Sequence, residues 1–314
     1  MKIYEAYELA IRTGMERDPR PRDEVQKVLD DAEEAYSKLP EDRKELFDKE
    51  RLWNPYTDCR FSVMADEARE AEAERMMWGI DIGPAEVLLA DRLREKGETV
   101  SAVVAHHPLG TARTKFPEVM WMQTDMFHEA GVPINVAEGL MRGRMDDVLR
   151  GVMGSNYNQA ADAARILGIP LFNVHSAADN MVQWYLTDLF QRTEPKRLSD
   201  LIDVLYTEPE FRQAARYNSP PEIMVGRKDN RCGRIVCKMT GGTSAPKEIY
   251  EKLAQAGVGT VASHYEEARK SNVNLVVSGH MSSDSLGVNL ICDVWERHGI
   301  DVLPCSGFTR FSRN

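Results

Sequence analysis

The sequence lacks both a long apolar run and a recognisable secretory leader. No stretch of about 18 apolar residues occurs, so no transmembrane helix is expected. The apolar stretch near the start, MKIYEAYELAIRTG, contains Glu5 and Glu8, which argues against a signal peptide. Cysteines are few, odd in number and scattered, which predicts free thiols in a cytoplasmic protein. They are Cys59, Cys232, Cys237, Cys292 and Cys305.

Positive charge is also scarce. The 314 residues include 40 Lys and Arg against 50 Asp and Glu, which gives a formal net charge of −10. This balance argues against a broad nucleic-acid-binding surface and against docking on an anionic membrane. We therefore expect neither nucleic acid nor membrane as a partner. Serine-hydrolase chemistry has no support either, because the chain contains no G-x-S-x-G nucleophile elbow.

The patterns that are present predict an α/β fold of two similar halves behind an N-terminal helical extension. Residues 1–52 have charged helical periodicity, typical of a solvated extension. From about residue 78, short apolar strands alternate with helices, which predicts a largely parallel sheet. A double proline at 220–221 predicts a boundary between a first half, 53–220, and a second half, 221–314.

Local patterns refine this organisation. A helical, Met-rich segment covers about 118–165, and we expect its methionines in a core or a subunit contact. A β-hairpin at the start of the second half is predicted from EIMVG, the polar turn RKDN and GRIVCKM. Ser244 is predicted to cap the helix that follows MTGG, and a short helix is predicted from YEEARKSN. The MTGGTSAP turn itself could cradle a phosphate, although a plain tight turn is favoured.

Two adjacent histidines end an apolar strand in VVAHHPLG, residues 103–110. Side chains alternate between the faces of a strand, so His106 and His107 should point in different directions. Two interpretations are open at this point. The doublet is either a chance pair at a strand end or a pair that reaches two separate targets.

A His-x-x-x-Asp pattern follows two other apolar runs. His175 and Asp179 follow one run in IPLFNVHSAAD, and His280 and Asp284 follow the other in VNLVVSGHMSSD. Residues four apart at a helix start share one face, so each pair can present both side chains together. The carboxyl ends of parallel strands gather at one edge of a sheet, where these pairs and the doublet could converge. The alternative for each pair is a helix-capping Asp beside a structural His.

The residue types at these strand ends suit a divalent metal. Imidazole and carboxylate together favour ions such as Zn, Fe, Mn, Co or Ni. A carboxylate can also bridge two cations about 3.5–4 Å apart, the spacing found in two-metal hydrolytic sites. From the residues alone, a metal site and the structural alternative are about equally supported.

These motifs resemble the Nif-three-like family of dinuclear-metal proteins, which includes YbgI-type proteins and GTP cyclohydrolase I type 2 homologues. The resemblance covers about residues 53–314 and depends most on VVAHHPLG and on VVSGHMSSDSLGVNLICDVWERHGIDV. It implies two divalent metal ions, with His106 and His107 each on a different ion. Asp179 would bind one ion, His280 the other, and Asp284 would bridge both.

The resemblance implies further roles and shows two departures. His175 would lie beside the ions as a ligand or a proton carrier, which makes it the predicted catalytic residue. His264 is similar to a family histidine near the pocket, the alternative being a surface helix residue. Asp284 stands where the family usually has Glu, and its side chain is shorter than that of Glu. The segment between His107 and His175 is longer than in typical members, so the helices near 118–165 are expected to be an insertion.

The function implied by the resemblance is a dinuclear metal-dependent hydrolase. A purine nucleotide such as GTP would be the small-molecule substrate, and the assembly would be a toroidal homo-hexamer. The alternative is a non-catalytic metal-binding protein that acts as a metal chaperone, sensor or assembly partner. Metal ligands serve storage as well as catalysis, so the motifs alone fit both.

Overall fold

The computed structural model describes residues 1–64, 70–264 and 272–314. Its strands are β1 (Phe61–Val63), β2 (Arg75–Gly79), β3 (Ala102–Ala105), β4 (Leu171–Asn173), β5 (Glu222–Val225), β6 (Arg234–Lys238), β7 (Val258–Ser263), β8 (Asn274–Val277) and β9 (Asp301–Cys305). Its α-helices are α1 (Ile3–Met15), α2 (Arg22–Ser37), α3 (Glu41–Lys44), α4 (Pro84–Glu95), α5 (Gly110–Val119), α6 (Met122–Glu129), α7 (Ile134–Met153), α8 (Gln159–Ile166), α9 (Ser176–Thr193), α10 (Leu198–Leu205), α11 (Pro209–Arg216), α12 (Ile249–Gln255) and α13 (His280–Arg297).

The first sheet has five strands in the order β1-β4-β3-β2-β9. Strands β4, β3, β2 and β9 run parallel, and β1 pairs antiparallel with β4 at the edge. Trp78 at the centre lies in register with Val104 on one side and Pro304 on the other. Because β9 is the last strand in the chain, the C-terminal segment returns to the first sheet. The domain boundary predicted near residue 220 stays a prediction. Strand β9 follows that boundary in the chain but lies in the first sheet.

The second sheet has four strands in the order β5-β8-β7-β6. Strands β6, β7 and β8 are parallel, and β5 pairs antiparallel with β8. The predicted hairpin is therefore wrong, since β5 and β6 lie at opposite edges of this sheet. The polar turn between them does not reverse the chain onto a neighbouring strand. It carries the chain across the sheet, so that β7 and β8 can fill the centre.

Both sheets follow the same plan, with a parallel core and one antiparallel edge strand. Within the described residues, helices connect β2 to β3, β3 to β4 and β6 to β7, as parallel neighbours require. The α/β fold with two similar halves is thus confirmed. The carboxyl ends of β3, β4 and β8 each lead within three residues to a histidine of the predicted metal motifs.

The N-terminal segment is helical, but the prediction that it is solvated is wrong for α1. Ile3, Tyr7 and Ile11 are buried in the same hydrophobic cluster as Phe172 and Trp295. The apolar positions of α1 recur on one face, and that face contacts α9 and α13. Helix α2, in contrast, exposes most of its residues, as predicted.

The Met-rich helical segment packs partly on the second sheet. Met120, Phe127 and Met141 are buried in one cluster with Tyr250 and Leu253 of α12. These methionines therefore contribute to a core, which was one of the two expected locations. That the segment is an insertion stays a prediction.

The smaller predictions differ in outcome. The prediction that Ser244 caps a helix is wrong, because α12 begins at Ile249 and its N-cap residue is Glu248. The helix predicted from YEEARKSN falls almost entirely on residues 265–271, which lie outside the described residues. The cysteines are free thiols, as predicted. Among the described helices, none has the length and apolar character needed to cross a membrane.

Candidate metal centre

The histidine doublet continues the backbone pairing of β3 beyond its last residue. The N–H of His106 donates to the carbonyl of Gly79 at 2.9 Å, and the N–H of His107 donates to that of Ile80 at 3.0 Å. These bonds hold the two residues in an extended path at the sheet edge. Consecutive side chains along such a path diverge, which gives the two rings different neighbours.

The two His-x-x-x-Asp motifs lie at helix starts that follow β4 and β8. His175 is the residue before α9, and Asp179 lies in its first turn. His280 is the first residue of α13, and Asp284 follows one turn later. Gly279, with φ of 105°, makes the sharp turn from β8 into α13, and a side chain there would be strained.

One part of the cluster is deeply buried and centres on His106. Its Nε2 lies 3.4 Å from Asp179 Oδ1 and 3.6 Å from Asp284 Oδ2. The His106 side chain is 1% exposed, and both carboxylates are less than a tenth exposed. We call these three residues the inner group.

The other part is more accessible and centres on the same carboxylate. The Nε2 atoms of His107 and His280 each lie 3.3 Å from Asp284 Oδ2. The His107 side chain is 23% exposed and that of His280 is 39% exposed. We call His107, His280 and Asp284 the outer group, which shares Asp284 with the inner group.

The donor set of this cluster fits divalent metal ions. In each group, one potential ligand atom per residue lies within 4.8 Å of the others, and His106, His107 and His175 form a third such set. Asp284 Oδ2 is buried, and within the described residues no hydrogen bond satisfies it. A buried carboxylate oxygen that accepts no hydrogen bond is costly, and a bound cation would lower that cost. The prediction of a divalent metal site at these strand ends is thus supported.

Three of the histidines are held through Nδ1, which directs Nε2 towards the cluster. His106 Nδ1 lies 3.1 Å from the Val174 carbonyl oxygen. His107 Nδ1 lies 2.7 Å from an Asp81 carboxylate oxygen, and His175 Nδ1 lies 2.6 Å from Asp58 Oδ2. Outer partners of this kind fix the orientation of metal-binding histidines.

The protonation of these groups differs because their surroundings differ. Burial lowers the pKa of His106 to about 3, so its imidazole is neutral at pH 7. Burial acts in the same direction on His107, but the carboxylates of Asp284 and Asp81 outweigh it and raise that pKa to about 10. Burial raises the pKa of Asp179 to about 6.

Asp58 is a site residue that sequence analysis did not single out. It is fully buried and accepts hydrogen bonds from both His175 Nδ1 and Ser176 Oγ, the latter at 2.7 Å. The nearby His175 holds the pKa of Asp58 below its usual value in spite of burial. The available signal was weak, namely a single acidic residue in TDCRF just before the first strand.

The remaining predicted residues lie around the cluster. His264 is buried, and its ring centroid is 5.3 Å from that of His280, which places it beside the outer group. Its role stays a prediction. The MTGGTSAP turn has Gly241 and Gly242 at positive φ, and the carbonyls of Gly241 and Thr243 accept from the Gln123 amide. These contacts agree with a tight structural turn.

Comparison with solved structures finds an extensive match. A NIF3 superfamily protein from Sphaerobacter thermophilus is 29% identical, with a TM-score of 0.69. The match covers 90% of this chain and 98% of the other, which is more than residues 53–314 could supply. This match supports a Nif3-like family assignment. It also shows that part of the N-terminal segment belongs to the shared fold.

Two more distant structures are also similar. HcgD from Methanocaldococcus jannaschii is 11% identical with a TM-score of 0.47, covering 78% of this chain and 87% of its own. TTHA1606 from Thermus thermophilus is 14% identical with a TM-score of 0.41, covering 74% and 83%. No family model matches this chain, and no curated protein matches it significantly.

Proposed function

We propose that this Nif3-like protein is a dinuclear metal-dependent hydrolase. The observation that carries the proposal is the position of Asp284 Oδ2. This oxygen is buried and unsatisfied within the described residues, and it lies 3.3 to 3.6 Å from Nε2 of three histidines. Two divalent ions that share this carboxylate would satisfy it and would separate the crowded donors.

The inner and outer groups supply the two ligand sets. His106 and Asp179 would hold one ion, His107 and His280 the other, and Asp284 would contact both. Mixed nitrogen and oxygen donors favour Zn, Fe, Mn, Co or Ni over Ca or Mg. Ions held there would lower the pKa of bound water towards 7 and would polarise the carbonyl or phosphoryl group that this water attacks.

The protein residues define where a substrate and a proton can go. The outer group is partly exposed, so a small molecule can approach from the side of His107 and His280. His175 is buried beside the inner group, with Nε2 3.8 Å from Asp179 Oδ2. Its imidazole can accept or return a proton there, in support of its predicted catalytic role.

The proposed substrate is a purine nucleotide such as GTP, on the basis of the family resemblance. A homo-hexamer and a cytoplasmic location belong to the same proposal. Light scattering coupled to size-exclusion chromatography tests the assembly. We expect a mass of six chains.

Turnover by protein of known metal content tests the proposed activity. Purified protein is loaded separately with Zn, Mn, Fe, Co and Ni, its metal content is measured, and GTP and other nucleotides are assayed by chromatography. We expect turnover that the double variant His106→Ala, His280→Ala abolishes, because this variant removes one ligand from each group. The exposed His298, which directly follows α13, gives the matched control His298→Ala, which should retain activity.

The alternative function makes a different prediction in the same experiment. A non-catalytic metal-binding protein would hold ions in wild type and lose them in the double variant, with no turnover of any nucleotide. That result would reject the hydrolase and retain the metal site.

A further inference from the structure

Asp58 and His175 form a buried pair. Asp58 contacts the edge of the His175 imidazole that faces away from Asp179. Asp58 Oδ2 lies 2.6 Å from His175 Nδ1, while His175 Nε2 lies 3.8 Å from Asp179 Oδ2. Asp58 is 0% exposed and His175 is 5% exposed. Bulk water is therefore kept from the carboxylate, and its contact with the ring is fixed by protein groups alone.

The backbone around Asp58 is anchored without help from its carboxylate. Asn173 Nδ2 donates to the Asp58 carbonyl at 2.6 Å, and Asn173 Oδ1 accepts from the Arg60 N–H at 3.1 Å. The His175 N–H also contacts Cys59 Sγ at 3.1 Å. These bonds tie residues 58–60 to the end of β4, so the carboxylate is presented to the ring from a rigid base.

The chemistry of the acceptor determines which nitrogen carries the proton. An ionised carboxylate can only accept hydrogen bonds, and Asp58 Oδ2 accepts from both His175 Nδ1 and Ser176 Oγ. Nδ1 must then carry a hydrogen. In a neutral ring, the lone pair is consequently left on Nε2, the nitrogen on the side of the inner group.

We propose that Asp58 is a positioning residue that fixes the ring and the tautomer of His175, so that Nε2 presents its lone pair to the metal cluster. The consequence for catalysis rests on the proposed function, whereas the tautomer does not. His107 provides a comparison, because the side chain of its carboxylate partner Asp81 is 70% exposed. Water can therefore compete with His107 for that carboxylate. We therefore expect Asp58 to restrict the orientation and tautomer of His175 more strictly than Asp81 restricts those of His107.

Nitrogen NMR of histidine-labelled protein tests the tautomer directly. Full-length, zinc-loaded protein is labelled with 15N in its histidines, and the variant His175→Gln identifies the His175 signals. In wild type we expect one tautomer, with the proton on Nδ1 and none on Nε2. A wild-type ring protonated only on Nε2 would overturn the proposal, and no variant is needed for that outcome.

Substitution of Asp58 tests its role in setting the tautomer. Asp58→Ala removes the acceptor, and we expect His175 to show both tautomers with unchanged zinc content. If that variant does not fold, Asp58→Asn is used, since its amide can also donate to Nδ1 and so permits the Nε2–H form. A folded variant with wild-type His175 signals would contradict the proposal. The control Asp81→Asn should alter His107 signals and leave those of His175 unchanged.

Turnover adds a second readout that depends on the proposed function. If nucleotide hydrolysis is found, Asp58→Ala should lower kcat at least tenfold and change KM less than threefold, and Asp58→Asn should recover part of kcat. A tenfold fall in kcat/KM that comes only from a higher KM would contradict a positioning role in catalysis. If wild type shows no turnover, the hydrolase fails, and the NMR result still decides the tautomer.

Discussion

At the residue scale, the proposed two-ion site depends on one carboxylate oxygen, Asp284 Oδ2. The family resemblance places a longer Glu where this chain has Asp284. The shorter side chain still brings Oδ2 to 3.3 Å from two histidine nitrogens and to 3.6 Å from a third. Asp284 can therefore reach the position that the proposed two-ion site assigns to a bridging carboxylate.

Single substitutions of the doublet should separate the two ions. His106→Ala removes a ligand from the inner group only, and His107→Ala removes one from the outer group only. We expect each variant to lose one ion preferentially, measured by plasma mass spectrometry. With Co as the probe, the retained ion should give different visible spectra in the two variants, because its ligands differ. Equal loss of both ions in each variant would argue against separate targets for the two rings.

Metal binding should also release a proton from His107. Its pKa in the metal-free fold, about 10, lies above the ordinary value of 6.5, so the ring is protonated at pH 7 to 8. A ligand must lose this proton, and apparent metal affinity should therefore rise as pH increases towards 10. Calorimetry at pH 8 in buffers of different ionisation enthalpy should detect about one proton released. The variant His107→Gln should release fewer protons, and an equal release would contradict the assignment.

At the element scale, the candidate metal centre depends on how closely α9 and α13 approach. Asp179 belongs to α9, while His280 and Asp284 belong to α13. The two helices meet at Gly287, where a Cβ atom would overlap the carbonyl oxygen of Ala178. A glycine at this contact lets the backbones approach and sets the spacing of the carboxylates.

Gly287→Ala should therefore weaken both the fold and the metal site. The added methyl group forces the helices apart, and we expect a loss of about 1–3 kcal/mol in the free energy of unfolding, measured with urea. Metal affinity should fall in the same variant. The control is Gly143→Ala in α7, where a Cβ meets nothing within 4 Å and about 0.5–1 kcal/mol should be gained. Similar behaviour of both variants would contradict this account of the contact.

At the scale of the whole molecule, the sequence predicted the parts of the fold that have local signals. Apolar runs followed by His-x-x-x-Asp identified β4 and β8 and the helices after them, because strand and helix starts are coded locally. The hairpin failed because strand order in a sheet depends on pairing partners far along the chain. β5 pairs with β8, and no local pattern distinguishes that partner from β6.

The remaining errors have the same physical origin. The charged residues of α1 suggested a solvated helix, yet Tyr7 and Ile11 are covered by α9 and α13, which come more than 150 residues later. Asp58 carries no motif of its own, and its importance appears only when β4 brings His175 against it. Tertiary contacts of this range have no signature in a single sequence.

A shared Asp284 should allow one chain to hold two divalent ions. The decisive measurement is the molar ratio of metal to protein, determined by plasma mass spectrometry on metal-loaded wild type and on Asp284→Ala. We expect about two ions per chain in wild type and loss of both in the variant, since Asp284 belongs to both groups. No metal in wild type, or two ions retained without Asp284, would contradict it.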